Sequence, residues 1–292
     1  MSLFVQQHHS YCDFSSNESW IILSAIEQSI KRKIEAIGTP LKDWDIKINY
    51  GIKTGFNDAF IISTAKREEI LSNCLDEDER TRTAEIIRPI LRGRDIKRYG
   101  YNWADLWLIN THNGVKGEIP RIDINDYPAI KQHLDNYWDS IAVRADKGDT
   151  PYNLRNCAYL EDFNKPKIIF QEIVQESSFA LDNDTHYYCN DTGRIIVGPH
   201  LEHIIGILNS KLFFFAVKHF YGGGILGEHG IRMKHTFFEN FPCLSYDMEV
   251  ANMATQLQQQ YTDELSNMLD NFLYDKYGLN DGEREYIEIG GF

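Results

Sequence analysis

The sequence predicts an α+β (mixed α/β) fold, in which an irregular β-sheet domain is flanked by an N-terminal helix and a C-terminal helical tail. Two long segments near the ends of the 292-residue chain carry apolar residues at helical spacing. Between them, short apolar or alternating segments of strand length are separated by polar connections. These strands and helices do not follow a regular βαβ order, and this irregularity favours an α+β arrangement.

Residues 15–37 predict the N-terminal helix. Ser15 and Glu18 have the spacing of a capping box, and Gly38 and Pro40 end the segment. Isoleucines recur on one face at positions 22, 26, 30, 34 and 37. We expect this helix to be a linker, which gives a first domain of residues 1–40.

The central domain, residues 41–245, supplies the strands. Alternation over residues 46–50 predicts a half-buried strand, with residues 59–62 as its partner and Gly51 and Gly55 bracketing the connection. Further strands are predicted at residues 103–110, 167–171, 178–181 and 194–197, helices at 65–74, 124–138 and 201–208, an exposed acidic turn at 76–79, and a buried apolar run at 212–217.

Residues 246–292 form the predicted helical tail, in which residues 248–274 read as one long helix. Its apolar stripe consists of Val250, Ala254, Leu257, Tyr261, Leu265, Met268 and Phe272. Such a stripe packs within its own chain more often than it forms an oligomer seam. A turn and a last helix follow over residues 275–288.

The composition excludes several classes of protein. No apolar run approaches the roughly 20 residues that cross a bilayer, and residues 1–14 lack the pattern of a signal peptide. The five cysteines include no CxxC pair, which excludes zinc-ribbon and thioredoxin sites. We therefore expect reduced thiols, no membrane partner and a cytoplasmic location.

The negative charge is unevenly distributed. The whole chain carries a formal charge of −13, of which residues 247–292 contribute −8. Residues 80–98, in contrast, carry a net +5 from seven bases and two acids. Because binding responds to the field within about 10 Å, this segment remains a candidate for contacts with a polyanion.

A first motif, GIKTGFNDAF at residues 51–60, has the residue types of a DNA-contacting loop. Lys53 can neutralise a phosphate, Thr54 can bind phosphate oxygens, and Asn57 can read adenine through two hydrogen bonds. The glycines that bracket the loop, Gly51 and Gly55, allow a close approach of the backbone. The alternative is an ordinary polar turn.

A second motif, RPILRGRDIKRY at residues 88–99, holds the densest basic cluster. The candidate phosphate and guanine contacts are Arg92, Gly93, Arg94, Lys97 and Arg98. The alternative is a solvated face paired with nearby acids such as Glu85 and Asp95.

Other motifs carry weaker signals. Gly222, Gly224 and Gly227 match G-x-G-x-x-G, but the strand–turn–helix context of a dinucleotide site is missing. Arg232 and Lys234 follow this loop and are further candidates for DNA contacts. The histidines show no clear set of metal ligands, so we expect no metal site and no catalytic residue in this chain.

The order of the motifs resembles the TaqI-like C-terminal specificity (target-recognition) domain of type IIG restriction–modification enzymes and adenine-specific DNA methyltransferases. The matching segments are GIKTGFNDAFII, RPILRGRDIKRY, WLIN, PKIIFQEI, HIIGILNSKLFFF, RMKHTFFENFPCL and LYDKYGLNDGEREYIE. They extend over residues 20–288. The first two segments and the ILNS-to-FP stretch are the most specific.

The resemblance implies a module that docks on double-stranded DNA and works with a fused or associated methyltransferase domain. That domain would flip an adenine out of the duplex and methylate it with S-adenosylmethionine. This chain has neither an Asn-Pro-Pro-aromatic nor an Asp-Pro-Pro-Tyr tetrapeptide, so S-adenosylmethionine, and Mg²⁺ for an endonuclease, are expected only in the parent enzyme.

Alternatives from other classes remain open. The chain could contribute DNA cleavage, although it lacks a Glu-x-Lys triplet and a clear carboxylate–lysine cluster. It could instead be a helical assembly module, or a DNA specificity subunit that acts with separate catalytic subunits.

Overall fold

The computed structural model describes residues 23–184, 186–222, 225–226 and 230–290. The chain divides into two compact units. The sheet unit comprises Asp45–Ile173 and Ser178–Leu201, and the helical unit comprises Met1–Trp44, Val174–Ser177 and Glu202–Phe292. The α+β class is confirmed, whereas the predicted boundaries at residues 40 and 245 stay a prediction.

The first sheet of the sheet unit is antiparallel. Its strands, in spatial order, are Phe179–Asp182, Lys167–Gln171, Gly193–Val197 and Lys47–Tyr50. The two central strands are almost wholly buried, as their continuous apolar content predicts. The edge strand Lys47–Tyr50 is exposed at both ends, which agrees with the half-buried strand predicted there.

The second sheet of this unit has the spatial order Tyr188–Cys189, Ile87–Leu91, Leu106–Ile109 and Ile61–Ser63. Its first pair is parallel and its other pairs are antiparallel. The partner predicted for the strand at residues 46–50 was wrong. The last four residues of the first motif form the short helix Asn57–Phe60, which buries Ala59 and Phe60 completely. The next residues, Ile61–Ser63, pair with Leu106–Ile109 in this sheet.

The helices of the sheet unit pack on a continuous apolar core that includes Phe60, Ile90, Ile169 and Ile195. They are Asn57–Phe60, Thr64–Ser72, Glu77–Ile86, Pro128–Asp135 and Trp138–Ile141. The acidic turn predicted at residues 76–79 was wrong, because Asp76 caps the helix that begins at Glu77. Glu79 is 1% exposed, and its carboxylate accepts the backbone N–H groups of Leu75 (2.7 Å) and Ala129 (2.9 Å).

The helical unit contains the helices Ala25–Ile37, Leu201–Leu208, Lys211–Ala216, His235–Phe238, Met248–Gln259, Asp263–Lys276 and Asp281–Glu288. Two short strand pairs accompany them, Thr39–Pro40 with Pro242–Cys243 and Ile225–Leu226 with Gly230–Arg232. The buried run at residues 212–217 is confirmed, although Phe214 is only partly buried.

Two of the predicted helices have other bounds in the described residues. The most N-terminal of the described helices begins at Ala25, where Ser24 and Glu27 form the capping box, and the predicted start at Ser15 and Glu18 lies outside the described residues. The single helix predicted at residues 248–274 was wrong, since the Thr262 hydroxyl accepts the N–H of Leu265 and starts a second helix. The apolar stripe therefore ends at this break: Val250, Ala254 and Leu257 are buried, but Tyr261 and Met268 are 44% and 56% exposed.

Candidate nucleic-acid interface

The two glycine-containing motifs meet at residues 189–193, the short connection that leads from the second sheet into the first. The N–H of Gly51 donates to the carbonyl of Gly193 over 3.1 Å. The N–H of Gly93 donates to the hydroxyl of Thr192 over 2.9 Å. The first and second motifs, which are far apart in the sequence, therefore both contact this connection.

Gly51 is required because the backbone of this connection comes very close. A Cβ placed at Gly51 would lie 1.8 Å from the carbonyl oxygen of Asn190. The close approach that the sequence attributed to DNA is thus made with the chain itself. The N–H of Gly93 is likewise taken by Thr192, which disfavours the predicted phosphate contact at that amide.

We expect Gly51→Ala to destabilise the protein by about 2–3 kcal/mol, since backbone rather than a flexible side chain would have to move. Gly100→Ala is the matched control, because a Cβ there meets nothing within 4 Å. Urea unfolding of both variants measures the difference. Equal midpoints would contradict the close packing at Gly51.

The first motif presents two polar side chains to solvent. Lys53 is exposed and has no ion-pair partner among the described residues. Thr54 is only 3% exposed and its hydroxyl donates to Oδ1 of Asn57 over 2.6 Å, so it supports Asn57, and its phosphate contact stays a prediction. Asn57 is exposed, and it keeps both N–H donors and a second lone pair, which suffices for a paired contact to adenine.

Arg144 fixes the backbone of this motif. Its guanidinium is buried, donates to the carbonyls of Thr54, Pro151 (2.9 Å) and Asn153 (2.6 Å), and lies 4.2 Å from the ring centre of Phe60. Burial lowers the pKa of Arg144 to about 10, so the side chain remains cationic at neutral pH. Gly55 next to it has a φ of +69°, a conformation that favours glycine.

The second motif is organised by an internal ion pair. Arg92 donates through Nε (2.9 Å) and Nη2 (2.8 Å) to the carboxylate of Asp95, which also accepts the N–H of Arg92. Burial opposes ionisation of Asp95, but these hydrogen bonds outweigh it and hold the pKa of the carboxyl below its ordinary value. This pairing holds the turn, and the predicted contact of Arg92 with DNA stays a prediction.

Three other cations of the motif lie on the turn Gly93–Asp95 and on the hairpin that follows, in which Ile96–Lys97 pairs with Gly100–Tyr101. Arg94 is exposed and forms no ion pair within the part of the chain that the structure describes. Lys97 is exposed and donates to the carbonyl of Arg94 over 3.0 Å. Arg98 is half-buried, with its guanidinium carbon 5.8 Å from the ring centre of Tyr99.

Arg232 and Lys234 belong to the helical unit, where both are exposed. Arg232 ends the strand Gly230–Arg232, and the ammonium of Lys234 lies 5.8 Å from the ring centre of Phe237. Their contact with DNA stays a prediction. The Gly224 and Gly227 positions of the glycine-rich match lie outside the described residues.

Sequence reasoning missed two residues that build this interface, Arg144 and Thr192. It did name Asp95 as an acid that could pair with the basic cluster, since Arg92 and Asp95 are only three positions apart. Arg144 and Thr192 act over long sequence separations and carry no local pattern. Among the described residues, no group of three His, Cys, Asp or Glu side chains could hold a metal, and no described helix is long and apolar enough to cross a membrane.

Known proteins resemble this chain in sequence and in fold. Residues 88–224 match the model of the TaqI-like C-terminal specificity domain, a stretch that includes the second motif and begins after the first. No curated protein sequence matches the chain.

Two solved structures share its fold. One is that of the type IIL restriction–modification enzyme MmeI in complex with DNA, with a TM-score of 0.62 and 13% identity over 86% of this chain and 35% of that one. The other is that of the type IIG restriction endonuclease BpuSI, with a TM-score of 0.51 and 11% identity over 87% of this chain and 34% of that one. This chain thus spans about a third of the length of each. The resemblance indicated by the order of the motifs is confirmed over residues 88–224, which match the TaqI-like C-terminal specificity domain.

Proposed function

We propose that this chain is the double-stranded DNA recognition module of a type IIG-like restriction–modification enzyme. The observation that carries the proposal is the placement of Lys53 and Arg94. Both side chains are exposed, and both stand on motifs that the connection at residues 189–193 holds together. Unpaired cations on adjoining loops can bind the phosphates of a duplex. Such phosphate contacts fix the orientation of the protein, so that other side chains can read the base edges.

The base-reading group of this surface is Asn57. The Thr54 hydroxyl donates to its side-chain oxygen and orients it, and the guanidinium of Arg144 donates to the carbonyl of Thr54. A side chain locked in this way loses little freedom on binding, which favours specificity. We assign Asn57 to adenine because amide side chains match its N6 and N7 positions.

The parent enzyme supplies the chemistry under this proposal. A fused or associated methyltransferase domain would bind S-adenosylmethionine, and Mg²⁺ would serve an endonuclease domain of the parent. The net charge of −13 favours a module whose affinity depends partly on such a partner. The proposed location is the cytoplasm.

Lys53→Ala and Arg94→Ala should each weaken binding to duplex DNA. Loss of one phosphate contact makes the slope of log K against log salt shallower by about 0.9. If the variant and the wild type bind equally at 1 M salt, the variant then binds about eightfold more weakly than the wild type at 0.1 M. The double variant should lose both contributions. Fluorescence anisotropy of a labelled 30-base-pair duplex, titrated with the chain at several salt concentrations, measures both quantities.

Lys66→Ala is the matched control for this experiment. Lys66 is a lysine of the same unit whose side chain is 38% exposed, but it already pairs with Glu69 over 2.6 Å. Its removal should leave affinity and salt slope unchanged. Wild-type affinity in the double variant would reject the proposed surface.

A further inference from the structure

A β-hairpin at residues 115–119 projects from the sheet unit. The N–H of Val115 and the N–H of Ile119 each donate to the carbonyl of the other residue over 2.9 Å. The tip residues Lys116, Gly117 and Glu118 are exposed, and a Cβ at Gly117 would meet nothing within 4 Å. The tip is therefore free to touch a large partner without displacing its own chain.

The hairpin lines a cleft of about 590 Å³, together with Asp149 and residues 156–158. Asn113, which precedes the hairpin, connects these parts of the lining: its Nδ2 donates to Oδ1 of Asp149 over 3.1 Å and also to Oδ1 of Asn156. The Asn113 oxygen accepts the N–H of Asp149 over 2.8 Å. These three contacts make the cleft a preformed feature of the sheet unit.

The cleft offers hydrogen-bond donors and positive charge. Lys116 has no ion-pair partner in the described ranges, and Arg121 approaches Asp149 only to 3.4 Å in a pair that is 40% and 65% exposed. Such exposed pairs contribute little and are readily exchanged for another anion. Because Asn156 already accepts a bond at its oxygen, its amide N–H groups remain as donors.

The same loop that supports the first motif supports this hairpin. Arg144 links the Thr54 carbonyl to that of Asn153. The Asn153 side chain in turn donates to the carbonyl of Ile122 over 2.9 Å, just beyond the hairpin. Residues 144–153 therefore contact both the loop that carries Lys53 and the segment just after the hairpin that carries Lys116.

We propose that the hairpin is a further DNA contact, in which Lys116 and Arg121 bind the sugar-phosphate backbone beside the stretch held by Lys53 and Arg94. The inference rests on the proposed DNA-recognition function and extends it. The backbone is favoured over base edges because the charged residues that line the cleft are two cations, Lys116 and Arg121, against one acid, Asp149, and phosphate contacts carry no sequence information.

The test is duplex binding by Lys116→Ala and Lys116→Arg, with Lys66→Ala as the control. Lys116→Ala should bind a random-sequence 30-base-pair duplex about eightfold more weakly at 0.1 M salt, with a salt slope lower by about 0.9. Lys116→Arg should keep the wild-type affinity and the wild-type salt slope. Since Lys116 is exposed, all three variants should melt at the wild-type temperature.

The outcomes separate this inference from the function on which it rests. Unchanged affinity and slope in Lys116→Ala, with losses in Lys53→Ala and Arg94→Ala, would overturn the hairpin contact and keep the recognition function. A loss restricted to particular sequences would overturn the backbone assignment. Failure of the wild-type chain to bind any duplex would overturn both proposals.

Discussion

Asp182→Asn should lower the free energy of unfolding by about 3–5 kcal/mol, because it leaves a buried ammonium without its counter-charge. Asp182 and Lys167 are directly paired neighbours in the first sheet, with Oδ2 and Nζ 2.8 Å apart. Their side chains are 1% and 0% exposed, so water cannot replace the lost partner.

The surrounding hydrogen bonds explain how this pair is tolerated in the core. Lys167 also donates to the carbonyl of Phe163 over 2.8 Å. Asp182 also accepts the N–H groups of His186 (3.1 Å) and Tyr187 (2.6 Å). Burial nevertheless lowers the pKa of Lys167, against the attraction of Asp182, which shows the desolvation that the pair must offset.

A double-mutant cycle distinguishes the charge effect from lost packing. Lys167→Met should destabilise strongly, whereas the double variant Lys167→Met/Asp182→Asn should lose less than the sum of the single changes, with a coupling of about 1–3 kcal/mol. Lys131→Met is the control, because its side chain is 38% exposed and pairs over 2.7 Å with Asp135, whose side chain is 43% exposed. Additive effects in the cycle, measured by urea unfolding, would refute a coupled buried pair.

The strands of the first sheet were predictable because their signal is local. Apolar runs such as residues 168–170 and 195–197 mark strands buried on both faces, and both strands are central in the sheet. The helix break after Gln259 had a local signal too, since Thr262 followed by Asp263 and Glu264 is typical of a helix start. A regular apolar stripe across the break concealed it.

The interface was predictable only in part. Residue type and exposure pointed correctly to loops that carry outward-facing cations, such as Lys53 and Arg94. The sequence did not indicate which backbone N–H groups are left to bind DNA, because the N–H groups of Gly51 and Gly93 donate to residues about a hundred or more positions away. The partner of a backbone amide across such a separation is set by strand pairing, and no local pattern encodes it.

Arg144→Lys is expected to destabilise the sheet unit by about 2–4 kcal/mol and also to weaken DNA binding. Arginine reaches three carbonyls at once with its planar fork, whereas lysine has a single nitrogen at the end of a shorter chain. At least one buried carbonyl would lose its donor, and each such loss costs about 1–3 kcal/mol. The cation over the Phe60 ring would be displaced as well.

The effect on binding follows from the position of Thr54. Its carbonyl accepts from Arg144, while its hydroxyl orients Asn57, so a loosened Thr54 releases the proposed adenine contact. Arg144→Lys should therefore reduce the preference for the recognised sequence more than the affinity for random DNA. Selection from a random duplex library, followed by competition binding, gives this ratio.

Arg155→Lys provides the matched control on the same loop. Arg155 pairs with Asp146 over 2.9 Å, but the two side chains are 56% and 34% exposed, so the pair contributes about 0–1 kcal/mol. The control should keep wild-type stability and sequence preference. If Arg144→Lys were as stable and as selective as Arg155→Lys, Arg144 would not be the anchor of the first motif, and the orientation of Asn57 would need another cause.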